Sequence, residues 1–138
     1  MSWVVDSCVL LDIVLADPAF AEQSAAMLDR LRPEGLVVCP VTLVEISPAL
    51  DGNADLVEQF CDGVGIPFDA RWDMDDTRVA LRVWHTYVMN KRAGLAAKRP
   101  IADILVGAYA LRRSGLITRN TADFVRWFGN MKLMDPVG

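Results

Sequence analysis

The feature that most constrains this chain is a set of short, unbroken apolar runs, each stopping at a polar residue or proline and followed by a helical stretch. Trp3-Val4-Val5 stops at Asp6-Ser7, Leu36-Val37-Val38-Cys39 stops at Pro40, and Leu116-Ile117 stops at Thr118-Arg119-Asn120. Such runs, rich in β-branched residues and free of polar alternation, read as strands buried on both faces. Helical periodicity between them marks crossover connections, which implies parallel pairing with helices above and below. The expected architecture is α/β, a three-layer α/β/α fold around a central, mostly parallel sheet. Helices are expected over residues 8–15 (with Ser7 as cap), 19–32, 41–50, 54–62, 74–92, 100–113 and from 121 to near 129. Residues 94–99 read as a loop, Met131 to Met134 as a last strand, and Ile66-Pro67-Phe68-Asp69 as a short edge strand, given its proline.

A length of 138 residues suits one domain, 1–138, able to bury its own core. Hydrophobic residues at 53% against 23% charged describe a globular chain rather than a disordered one. No apolar run approaches the roughly 18 residues of a membrane span, and the N-terminus lacks the basic-then-apolar pattern of a secretory signal. The cysteines, Cys8, Cys39 and Cys61, are widely spaced within apolar segments. That spacing suits free thiols in a reducing compartment better than a disulfide framework or zinc site, so a cytoplasmic location is expected. A net charge of −4 argues against a protein that coats nucleic acid nonspecifically. It leaves room for a nuclease whose metal supplies the positive charge.

The chemistry-bearing residues gather at the ends of the expected strands, where ligands bind in open α/β sheets. Asp6 ends the first strand, where it either caps the next helix or serves as a ligand. Glu45 sits in the first turns after the second strand, between Val44 and Ile46, and a buried carboxylate there costs several kcal/mol unless paired or metal-bound. Asp103 opens the otherwise apolar Ile101-Ala102-Asp103-Ile104-Leu105-Val106, where the helix dipole favours it by under ~1 kcal/mol. Asn120 and Asp123 follow the third strand. Carboxylates converging on one edge repel one another unless a divalent cation lies between them. His85 lies mid-helix, far from these motifs, and reads as structural. Asp12 reads as a surface or supporting residue. Trp84, Tyr87 and Trp127 suit packing, with base stacking as the alternative.

The ordered motifs Val-Val-Asp-Ser, Val-Glu-Ile, Ala-Asp-Ile-Leu-Val-Gly-Ala and Leu-Ile-Thr-Arg-Asn-Thr-Ala-Asp-Phe resemble those of the PIN-domain ribonucleases. The length points to the VapC-type toxins of toxin–antitoxin pairs. The resemblance implies a metal-dependent endoribonuclease hydrolysing RNA phosphodiester bonds. Asp6, Glu45 and Asp103 match the acidic ligands of Mg²⁺ or Mn²⁺, one ion or two, while Ser7 and Thr118 match supporting hydroxyls. The position after Thr118-Arg119, often aspartate in the family, is Asn120 here, so Asn120 or Asp123 completes the catalytic and metal set. Arg119, with Lys98 or Arg99, is expected to contact RNA phosphates. Apolar helix surface suggests a homodimer, and the resemblance adds a cognate antitoxin; no membrane is involved. Two alternatives stand beside this reading. One is a catalytically silent PIN scaffold that binds protein. The other is a receiver-type phosphoacceptor domain, weakened by the absence of a lysine after the third strand.

Overall fold

The computed structural model describes residues 1–92 and 100–138, so the expected loop at 94–99 lies outside the described residues. Strand β1 (Trp3–Val5) lies between β2 (Leu36–Val37) and β3 (Gly115–Ile117), and β4 (Leu133–Met134) flanks β3. Every pairing is parallel, with Trp3 level with both Leu36 and Gly115, and Val5 level with Ile117. The helices are α1 (Ser7–Val14), α2 (Ala21–Leu31), α3 (Pro40–Ile46), α4 (Ala54–Gly63), α5 (Met74–Arg92), α6 (Ile101–Leu111) and α7 (Thr121–Trp127).

Side chains alternate across the sheet with period two, and the two faces carry separate cores. Trp3, Val5, Leu36 and Ile117 pack with Val9 and Leu10 of α1, Leu28 and Leu31 of α2, and Ile46 and Val57 of α3 and α4. Val4 and Leu116 face the other way, onto Val79 of α5, Val106 and Tyr109 of α6, and Phe124 of α7. The three-layer expectation is met. The apolar residues of α2 are largely spent on the first core through Met27, Leu28 and Leu31.

The differences from expectation have local causes. Asp6, not Ser7, caps α1: its backbone is still extended, and its Oδ1 accepts the Ser7 N–H at 2.8 Å. Helix α2 begins at Ala21 because Asp17 Oδ1 accepts the N–H groups of Ala19 and Phe20 in a preceding turn. Helix α3 gives way to a 3-10 turn over Ser47–Leu50. Pro48 has no N–H to continue the α pattern, and Ser47 Oγ donates to the Val44 carbonyl at 2.7 Å instead. The edge strand expected at Ile66–Asp69 does not form. Ile66 turns its N–H back to the Cys61 carbonyl at 2.8 Å, closing the end of α4, and the proline that follows offers no donor to a ladder.

Helix α6 runs antiparallel to the strands. Just beyond its end the Ser114 N–H reaches the Ser2 carbonyl at the amino end of β1, which leaves its first turn, with Asp103, at the carboxyl end of the sheet. At the amino end, fully buried Asp76 of α5 accepts from Arg112 at 2.9 Å and Arg113 at 3.0 Å, and so joins α5 to the end of α6. Close approach governs the middle of α6, where a Cβ on Gly107 would overlap the Phe128 ring. Gly107→Ala is expected to destabilise the protein by ~1–3 kcal/mol through overpacking, despite alanine's advantage of ~1 kcal/mol in helix propensity. Urea unfolding would check this; an unchanged or raised midpoint would show that the ring yields freely.

Candidate functional site

Asp6 is 4% exposed, because β1 has neighbours on both sides and helices cover both faces. Its N–H is paired with the Ile117 carbonyl at 3.0 Å. Oδ1 caps α1, and Oδ2 accepts the Thr118 hydroxyl at 2.7 Å. Thr118, fully buried at the end of β3, accepts the Asn120 N–H on the same oxygen at 2.9 Å. The Cys8 sulfur lies 3.5 Å from both Asp6 Oδ2 and Thr118 Oγ1. Burial lifts the Asp6 carboxyl above its ordinary range, against the pull of the Thr118 hydroxyl and the Ser7 N–H. The Cys8 thiol is pushed up to about 11 by burial first and the Asp6 charge second, so near neutral pH it stays protonated.

Glu45 belongs to the same electrostatic unit. Its carboxyl is raised by burial, then by the charges of Asp6 and Asp103, while the Ser7 hydroxyl opposes the shift by hydrogen bonding. Its Oε1 is buried without a hydrogen-bond partner among the described residues. Glu45, near the end of α3, therefore feels the charges of Asp6 after β1 and Asp103 on the first turn of α6. A divalent cation suits this group in charge and in its unmet need for a partner. The side chains are not drawn into a finished cage: among the described residues no three histidine, cysteine or carboxylate side chains lie close enough to hold an ion.

The remaining expected residues are placed differently. Asn120 joins the network through its backbone N–H, and its side chain makes no cap to α7. Asp123, on the first turn of α7, has Arg126 as its ion partner at 4.0 Å, with both side chains well exposed. Arg99, like Lys98, lies outside the described residues. Arg119 was expected on the RNA side. In the structure it grips Asp12 in a fork, Nε to Oδ2 and Nη2 to Oδ1 at 2.8 Å each. Asp12 is not on the surface but 4% exposed, and it also accepts the Ser24 hydroxyl at 2.8 Å. Tyr87 is buried and Trp127, partly buried, packs edge-on against Phe124. His85 is exposed on α5. The partners of Asp12, and the places of Ser24 and Cys8 in these networks, were missed. The available signal was an aspartate flanked by Leu11 and Ile13 in a strongly apolar helix, where a charge calls for a buried partner.

A scan for known protein families finds no match, and no curated protein matches in sequence. In three dimensions the chain is similar to one in the crystal structure of VapBC2 from Rickettsia felis bound to a DNA fragment from their promoter. The TM-score is 0.72, 98% of each chain is covered, and the sequences are 15% identical. The fold is PIN-like.

Within this PIN-like fold the hydroxyl of Thr118 and the ionisation of Glu45 can each be tested. Thr118→Val removes a buried donor to Asp6 and an acceptor for the Asn120 N–H, an expected loss of ~1–3 kcal/mol. Thr118→Ser should restore most of it in the same denaturant titration. Glu45 ionises at higher pH folded than unfolded. Without metal, its favourable contribution is thus fully present below its unfolded value, about 4.3, and is lost as pH rises through the raised folded value. In chelator, Glu45→Gln should therefore gain in melting temperature over the parent between about pH 4 and pH 7. A difference that stays constant over that range would contradict the assignment.

Proposed function

We propose that this chain is a Mg²⁺- or Mn²⁺-dependent endoribonuclease acting as the toxin of a toxin–antitoxin pair. The observation that carries this reading is a buried Glu45 oxygen lacking a partner among the described residues, on a carboxyl that also feels the charges of Asp6 and Asp103. Asp6, Glu45 and Asp103 would hold the ion, with the Asn120 amide or the Asp123 carboxylate completing the set. When bound, the ion supplies charge to polarise a phosphodiester and acidify water. The protein residues contribute orientation. Ser7 and Thr118 fix the two Asp6 oxygens, and the Ser7 hydroxyl sets Glu45 beside them. The VapBC2 neighbour supports an antitoxin partner for a chain of this fold. An apolar cleft of about 330 Å³ lined by Val41, Trp72, Leu81, Trp84, Ile101 and Leu105 offers surface for that partner or for a second copy of the chain. The chain works in the cytoplasm on this reading, and no helix among the described residues is long and apolar enough to cross a membrane.

A second reading, a PIN scaffold that binds protein without catalysis, is favoured by the lack of a preformed three-donor cage among the described residues and by Asn120. One experiment separates the two. Purified protein with Mg²⁺ should cleave single-stranded RNA, and Glu45→Gln and Asp6→Asn should each lower the rate at least ~10²-fold, as expected when positioned charge is lost. Mg²⁺ should raise the melting temperature of the parent by mass action and leave that of Asp6→Asn unmoved. Absence of both effects in the parent would leave the scaffold reading standing.

A further inference from the structure

We infer that the Asp12–Arg119 pair is a positioning device for Asp6, acting through the two residues that flank Arg119. The inference rests on the nuclease reading of the same site. Thr118 and Asn120 form one hydrogen-bonded chain into Asp6: the Asn120 N–H donates to Thr118 Oγ1, whose hydroxyl donates to Asp6 Oδ2. Arg119 stands between them in sequence, and its side chain points away to α1, the helix that Asp6 itself caps. The segment leaving β3 is thus tied to α1 at two points six residues apart, Asp6 at the cap and Asp12 near the end.

The anchor is built to resist rotation. Both Asp12 oxygens are engaged by the guanidinium, fully buried Ser24 of α2 holds Oδ2 as well, and the Phe20 ring lies 4.0 Å beneath the charge. A planar fork fixes direction as well as distance. Two apolar side chains would fill the same volume without fixing an angle. A buried ion pair gives little net stability over an apolar replacement, so holding the fold together does not account for this arrangement. Orientation does. A shift of about 1 Å in a catalytic group can cost roughly 10²-fold in rate, and a turn in the 118–120 segment would be passed directly to Oδ2.

The test is the double variant Asp12→Leu/Arg119→Met, which leaves no lone buried charge, with Arg119→Lys, which keeps the charge but loses the fork. The double variant should unfold in urea near the parent midpoint. Its Asn120 amide should exchange with solvent at least ~10-fold faster, with the Val5 and Ile117 amides unchanged, because only the segment beyond β3 is released. Mg²⁺ affinity by calorimetry should fall about 10-fold, the usual range for lost support behind a ligand. On single-stranded RNA, kcat should fall about 10²-fold with KM unchanged in both variants. An unaltered Asn120 exchange rate with unaltered Mg²⁺ affinity overturns the inference. So does a raised KM with a salt dependence shallower by about one unit of slope, which would make Arg119 a phosphate contact. If the parent neither binds Mg²⁺ nor cleaves RNA, the nuclease reading falls. The Asn120 exchange rate then decides alone whether the pair positions the segment facing Asp6.

Discussion

The desolvation of a single carboxylate at the end of the central strand is the constraint on which the rest of this structure turns. Strand β1 has parallel neighbours on both sides and helices over both faces, so its last side chain leaves water almost entirely. A carboxylate in that position must be supplied with donors or with charge. The surrounding elements supply the donors: the first turn of α1 gives a backbone N–H, and the end of β3 gives a hydroxyl. What they do not relieve is Glu45, whose carboxyl is raised by burial first and then by the charges of Asp6 and Asp103. The proposed cation would answer that need.

How much of this could be read from residues alone differs by level. The sheet was legible because Trp3-Val4-Val5, Leu36-Val37 and Leu116-Ile117 are apolar on both faces, a pattern only a covered parallel sheet accommodates. That Asp6, Glu45 and Asp103 fall toward one edge was legible from topology; that no three such side chains among the described residues lie close enough to hold an ion was not. Helix ends were less so. Pro48 and the Asp17 turn decide the bounds of α3 and α2 by local hydrogen bonding that periodicity does not register. The use of Arg119 was not legible at all. A basic residue beside the site suggests a phosphate, and its partner, 107 residues earlier, is identified only once α1 and β3 are side by side.

Two buried aspartates held by arginines sit at opposite ends of the molecule. Asp76 draws Arg112 and Arg113 together at the amino edge, where α5 meets the end of α6, while Asp12 draws Arg119 in at the carboxyl edge. Such pairs contribute little net stability but lose much when one partner is removed. They act as registration marks. The first sets α6, and with it Asp103, along the sheet; the second sets the segment that bears Thr118. The geometry of the acidic edge is thus fixed partly from the far side of the protein.

The hydrogen bond between Thr118 and Asp6 joins residues 112 apart in sequence. It carries a temporal consequence. As the chain is made, the residues of β1, α1 and β2 are synthesised long before those of β3. Through that interval the partner of β1 on one side and the Thr118 hydroxyl for Asp6 are both lacking. The acidic edge can be completed only by the last third of the polypeptide, after a long loop has been closed at an entropic cost that slows non-local pairing. The order of residues along the chain thus makes the site among the last features of the fold to take shape.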